Sequence, residues 1–203
     1  MYYREGVTIA VCPGSYDPIT LGHQDVIERA AAMFDEVVIG VAKNSSKFAL
    51  LDVETRIRLA KLSTEHLGNV TVQEVPGLLV DFCSQIGATV IVKGIRGSSD
   101  FDGEMPMALM NRHLTEVETI FLPARPNIAH IASSLVKDVM RFGGQVQDLV
   151  TPVVYAAMEQ AMTEGNLYLG SAARTADAEP PAPTRLRLID SQSNDQSSKE
   201  RND

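Results

Sequence analysis

The feature that most constrains this chain is an alternation of two hydrophobic periods. Five short β-branched runs stand out: VTIAVC (7–12), EVVIGVA (36–42), VTVQEV (70–75), TVIVK (89–93) and ETIFL (118–122). Between and after them lie helical patterns over residues 22–34, 53–66, 78–86, 100–113, 133–142 and 152–162. Strands apolar at nearly every position have no face left for water, so they are covered by helices on both sides. The pattern predicts an α/β fold, a Rossmann-like doubly wound parallel sheet of five strands. Ligands of such sheets bind beyond the carboxyl ends of the strands.

The 203 residues suffice for one domain with its own core. We expect that domain over residues 1–165. From about Ser171 the composition turns to Ala, Pro, Ser and charge, and large apolar residues become scarce. A segment that buries so little cannot offset its chain entropy, so residues 166–203 are expected to be a disordered tail. The formal net charge of −8 argues against a non-specific nucleic-acid binder. It leaves room for anionic small molecules held by local clusters of Lys and Arg. The two cysteines, Cys12 and Cys83, have no disulfide or metal spacing and are expected as reduced core residues. The opening MYYREGVTIAV has too short an apolar run for a signal peptide, and no stretch approaches the ~18 apolar residues of a membrane span. A cytoplasmic protein is expected.

Chemistry concentrates in CPGSYDPITLGH, Cys12 to His23, between the first strand and the first helix. In this architecture phosphates meet helix amides there. Neither GxGxxG nor GxxxxGK[ST] is present, so another anion-binding device is required. Gly14 permits a tight turn, Ser15 offers a hydroxyl and an amide, and Gly22 leaves room above the helix. His23 can donate a ring N–H to a phosphoryl oxygen.

PGSYDPITLGH closely resembles the signature loop of the nucleotidyltransferase superfamily, which shares its HxGH-type tetrad with class I aminoacyl-tRNA synthetases. Thr20 takes the first position of the tetrad and His23 the last. KNSSKF, VKGIRGSSDFDGEM, MNRHL and ASSLVKDVMRFGG follow in the order and spacing of one family, phosphopantetheine adenylyltransferase. The similarity covers roughly residues 7–162. It implies transfer of the adenylyl group of ATP to 4′-phosphopantetheine, giving dephospho-coenzyme A and pyrophosphate in coenzyme A biosynthesis.

The resemblance implies roles residue by residue. The catalytic set is His23, Ser15, Lys47 and Arg96, with His23 on the α-phosphate and Ser15 between the substrates. ATP is implied to contact Ser15, Tyr16, His23, Gly94, Ile95, Arg96, Glu104 and the run Ile128, Ala129, His130, Ile131, Ala132, Ser133 and Ser134. The phosphopantetheine side comprises Ser15, Lys47, Leu79, Lys93, Met107 and Asn111. Mg²⁺ accompanies ATP, with no permanent metal site, and the family forms homohexamers. One check is independent of the family: Asp100, Glu104, Met107 and Asn111 share a helical sector of about 60°. Ser133 and Ser134 are also suited to cap the helix they open.

The chain departs from the family pattern at NIAHIASS, where hydroxyls are missing, and at FDGE, where Gly103 replaces an aromatic residue. Two alternatives stay open. One is a non-catalytic paralogue that senses coenzyme A or ATP. The other is a different small-molecule nucleotidyltransferase, such as a cytidylyltransferase or a nicotinate-mononucleotide adenylyltransferase. A class I synthetase is not expected, because the chain is short and has no KMSKS-like loop.

Overall fold

The computed structural model describes residues 6–43 and 49–164. Lys47 and the expected tail lie outside the described residues. The order of elements is β1 (Ile9–Gly14), α1 (Leu21–Ala31), β2 (Glu36–Ala42), α2 (Val53–Ser63), β3 (Val70–Val75), α3 (Leu79–Ile86), β4 (Val90–Ile95), α4 (Ser98–Leu114), β5 (Glu118–Pro123), α5 (Ser133–Arg141) and α6 (Pro152–Glu164). The five strands form one parallel sheet in the order β3-β2-β1-β4-β5. The chain winds outward from β1 to β3, then crosses over and winds outward through β4 to β5. The direction reverses between β1 and β4, and the crevice above that pair is where such a sheet takes its ligand.

Alternate residues of each strand serve opposite faces, as the pleat requires. Ala10 and Cys12 of β1, with Ile39 and Val92, pack under α1, α2, α5 and α6 through Ile27, Leu59, Val136 and Met158. Val11, Val38 and Ile91 form the other face with Val80, Phe82 and Cys83 of α3. Both cysteines are free and buried, and burial raises the Cys12 thiol to about 12 and the Cys83 thiol to about 11.

Element ends shift by up to three residues from the sequence expectation, and two of the differences bear on the site. β4 runs on through Gly94 and Ile95, which pair with Leu122 and Pro123 of β5. Gly94 is needed here for packing: a Cβ on it would sit 2.6 Å from Cγ2 of Val26 in α1. α4 begins at Ser98 and continues through Pro106 inside the helix, against the usual breaking effect of proline.

Candidate functional site

The site grows from the β1–α1 connection. Thr20 is the N-cap of α1, and His23 stands three residues later. The Thr20 N–H donates to Nδ1 of His23 at 3.1 Å, and the His23 N–H donates to Oγ1 of Thr20 at 3.4 Å. This is a capping box with imidazole in the place usually taken by Glu or Gln. Nδ1 accepts, so the ring proton sits on Nε2, which leaves that N–H as a donor. The buried Tyr16 ring packs edge-on against His23 at a centroid distance of 5.0 Å. Its hydroxyl donates to the Cys12 carbonyl at 2.7 Å. Desolvation first, then the positive charges of Arg96 and Lys93, lowers the His23 pKa to about 4. At neutral pH it is an uncharged hydrogen-bond donor.

His23 lines a cleft of about 520 Å³ together with Ser15, Gly94, Arg96, Glu104, Ile128, Ile131, Ala132, Ser133 and Ser134. A second cleft, of about 740 Å³, is lined by Leu79, Lys93, Met107 and Asn111 among others. The two share Ser15 and Glu104 among the described residues. The sheet accounts for this arrangement. Ser15 follows β1 and Arg96 follows β4, the two strands at the switch point, while Glu104 projects from the helix after β4.

Three of the cations lining these clefts are paired with carboxylates. Lys93 meets Glu104 at 3.1 Å. Nε of Arg96 donates to Oδ2 of Asp100 at 2.6 Å and Nη2 to Oδ1 at 2.9 Å, a bidentate contact that holds the Asp100 carboxyl below its usual range. Lys137 of α5 meets Asp17 at 2.6 Å. Asp17 also accepts the backbone N–H groups of Leu50 and Leu51 at 3.0 and 2.9 Å, so its carboxylate is a structural tie.

Several expected residues stand elsewhere. Tyr16, Ile95, Ala129 and His130 do not line either cleft among the described residues. Tyr16 is committed to the core, and Ile95 to the β4–β5 ladder. Capping of α5 by serine is corrected: its N-cap is Ala132, with no side-chain cap, and the Ser133 hydroxyl donates to the Pro18 carbonyl at 2.8 Å. The first-turn amides of α5 are thereby free of any side-chain cap at the cleft wall. Met107 is exposed at 56%, whereas Asn111 is buried at 6%. Two further charged residues on the cleft wall, Arg56 and Lys137, were not singled out in the sequence, and Asp17 of the loop was given no role. A signal for Arg56 existed: it shares the buried α2 face with Leu59, Ala60 and Ser63, at spacings of three, four and seven.

The arrangement suits an anionic ligand lying across Ser15. A neutral imidazole N–H, a fixed guanidinium and an uncapped helix N-terminus face the first cleft, and an ammonium lines the second. Among the described residues no three His, Cys, Asp or Glu side chains converge to hold a metal ion. No helix among them is long and apolar enough to cross a membrane.

Comparison with known proteins agrees with this geometry. The Cytidylyltransferase-like family model matches residues 11–139. Phosphopantetheine adenylyltransferase of Bifidobacterium longum is 49% identical over 160 residues, covering 78% of this chain and 96% of that protein. The proteins of the same name from Nocardioides sp. and Streptomyces coelicolor are 48% and 49% identical, over 78% and 75% of this chain and 100% and 96% of theirs. A crystal structure from Vibrio parahaemolyticus, described as a candidate nicotinate-nucleotide adenylyltransferase, superposes with a TM-score of 0.59 at 20% identity. That superposition covers 80% of this chain and 96% of the other, and it bears on the fold alone. The matched loop, the two joined clefts and near-half identity along almost the whole of three relatives together establish that this chain belongs to the phosphopantetheine adenylyltransferase family.

Proposed function

We propose that this chain transfers the adenylyl group of ATP to 4′-phosphopantetheine, releasing pyrophosphate and forming dephospho-coenzyme A. A phosphate monoester is already nucleophilic at neutral pH. No activating Ser or Cys is needed, and the Cys12 thiol, held near 12 by burial, is no nucleophile. One phosphate oxygen forms a bond to the α-phosphorus while the bond from that phosphorus to the β-bridging oxygen breaks. The barrier is the approach of two anions, so catalysis is positioning and charge stabilisation.

The observation that carries this reading is the junction of two clefts at Ser15, with His23 in one and Lys93 in the other. ATP takes the first cleft. Its phosphates lie towards Arg96 and the α5 N-terminus, and Ile128 and Ile131 offer an apolar wall to the base. The pantetheine arm takes the second cleft along Leu79, Met107 and Asn111, with its phosphate near Lys93. Lys47 contributes a further cation to that phosphate. Ser15 and the Nε2–H of His23 then face the α-phosphorus from opposite substrates' sides, and the imidazole stabilises the added negative charge without exchanging a proton.

Mg²⁺ would be held by the ATP phosphates and water rather than by protein carboxylates, since Asp17 and Glu104 already hold Lys137 and Lys93. When bound, it neutralises charge on the leaving pyrophosphate. Self-association, as in a homohexamer, is supported by apolar surface exposed outside the clefts on α4 and edge strand β5, including Leu109 and Ile120. A cytoplasmic location goes with these substrates. The deciding experiment mixes the protein with ATP, Mg²⁺ and 4′-phosphopantetheine. Stoichiometric pyrophosphate and dephospho-coenzyme A are expected, and binding of both substrates without release would overturn the reading in favour of a sensor.

A further inference from the structure

Four described cations line the two clefts: Arg56, Lys93, Arg96 and Lys137. Three are within ion-pair distance of a carboxylate, Lys93 with Glu104, Arg96 with Asp100 and Lys137 with Asp17. Arg56 has no such partner among the described residues, and it is the most buried of the four at 4% exposure. Its partners are main-chain carbonyls. Nε donates to Leu51 at 3.1 Å, and Nη1 donates to Ser15 at 2.6 Å and to Ala42 at 2.9 Å. Carbonyl dipoles satisfy the donors but leave the net charge in place.

The Asp52 carboxylate feels the Arg56 charge but forms no ion pair with it. A buried guanidinium compensated only at that range is costly, and on a cleft wall it gains from an anion bound there. The three carbonyls are also informative. Ala42 ends β2, Leu51 precedes α2, and Ser15 follows β1 at the junction of the clefts. One rigid, planar group therefore ties three separate chain segments, which a lysine ammonium on its flexible stem cannot do in the same way. We propose that Arg56 is the positioning cation of this site: it fixes the Ser15 main chain where the clefts meet and presents an unpaired positive charge to the phosphates of the nucleotide. This rests on the adenylyl-transfer reading for the identity of the anion, and it adds a residue and a role to it.

The test uses the full chain with Arg56→Met and Arg56→Lys, titrated with inorganic pyrophosphate and assayed for turnover, with thermal unfolding recorded for each. Loss of the charge should weaken pyrophosphate binding about tenfold or more in Arg56→Met, while Arg56→Lys stays within about threefold of the unsubstituted chain. Turnover should fall about 10–100-fold in both, because lysine keeps the charge but not the fork that holds Ser15. A purely structural arginine predicts the opposite split: lower melting temperature in both variants, with pyrophosphate affinity of the folded protein unchanged. That result overturns the proposal. If Arg56→Met does not fold, the guanidinium ¹⁵N resonance of Arg56 in the unsubstituted chain decides. It should move on pyrophosphate addition, and its failure to move overturns the proposal. Absence of turnover in the unsubstituted chain would remove the proposed reaction, while the pyrophosphate titration would still judge Arg56.

Discussion

Thr20 and His23 hold each other across the first turn of α1: the threonine N–H fixes Nδ1 of the imidazole, and the histidine N–H binds the threonine hydroxyl. One motif thus starts the helix and sets the ring's tautomer. Thr20→Ala should cost about 1 kcal/mol of stability through loss of the cap. It should also lower kcat more than it raises KM for ATP, because the ring loses the 3.1 Å contact between its Nδ1 and the Thr20 hydroxyl and keeps only the backbone N–H. Denaturant unfolding and steady-state kinetics check both, and an unchanged kcat would separate the cap from the chemistry.

Removing the imidazole tests the donor directly. His23→Ala should lower kcat about 10²–10³-fold with modest changes in KM, the loss typical of one preorganised donor to a developing charge. A variant with full turnover would take His23 out of the mechanism.

The pH dependence has a definite sign. His23 titrates near 6.5 when unperturbed and near 4 in the folded chain, so between those values the unfolded state binds more protons. The stability from keeping this ring neutral is complete above the unfolded pKa and is lost as pH falls towards 4. His23→Asn should flatten that part of the stability profile relative to the unsubstituted chain. The ring proton resonances of His23 in the ligand-free protein should show no midpoint near 6.5; a midpoint there would refute the depressed pKa.

Asp100 binds Arg96 at three points, by Nε, Nη2 and the backbone N–H. Asp100→Asn should release the guanidinium and raise KM for ATP about tenfold, with a smaller effect on kcat, because binding geometry is lost before the chemistry is touched. An unchanged KM would mean that Arg96 needs no such support.

Two glycines predict opposite stability effects. A Cβ on Gly94 meets Val26, so Gly94→Ala should destabilise by about 1–3 kcal/mol through overpacking, with partial recovery in the Gly94→Ala/Val26→Ala double variant. A Cβ on Gly103 meets nothing within 4 Å, so Gly103→Ala in α4 should stabilise by about 1 kcal/mol. Thermal and denaturant unfolding of the three variants decide both.

The amino-acid sequence by itself determined the alternation of strands and helices, because period and β-branching are local properties. It also determined that Ser15, Lys93 and Arg96 belong to strand ends or the loops after them, and that His23 stands in the first turn of the following helix, on one side of the sheet. What it did not determine was partnership. Lys137 lies 120 residues from Asp17 and Arg56 lies 41 from Ser15, and only the parallel winding of the sheet brings such pairs together. Helical spacing puts Arg56 on the α2 face of Leu59 and Ala60, but only the packing of α2 against the sheet decides that this face brings its guanidinium to the cleft wall. The tie between Thr20 and His23 was local and still went unread, since a histidine at the third helical position lies outside the usual Glu or Gln form of the capping box. Tertiary structure decided which cleft cation has no ion-pair partner among the described residues, because an ion pair depends on the few ångströms between side chains and not on the order in which they occur.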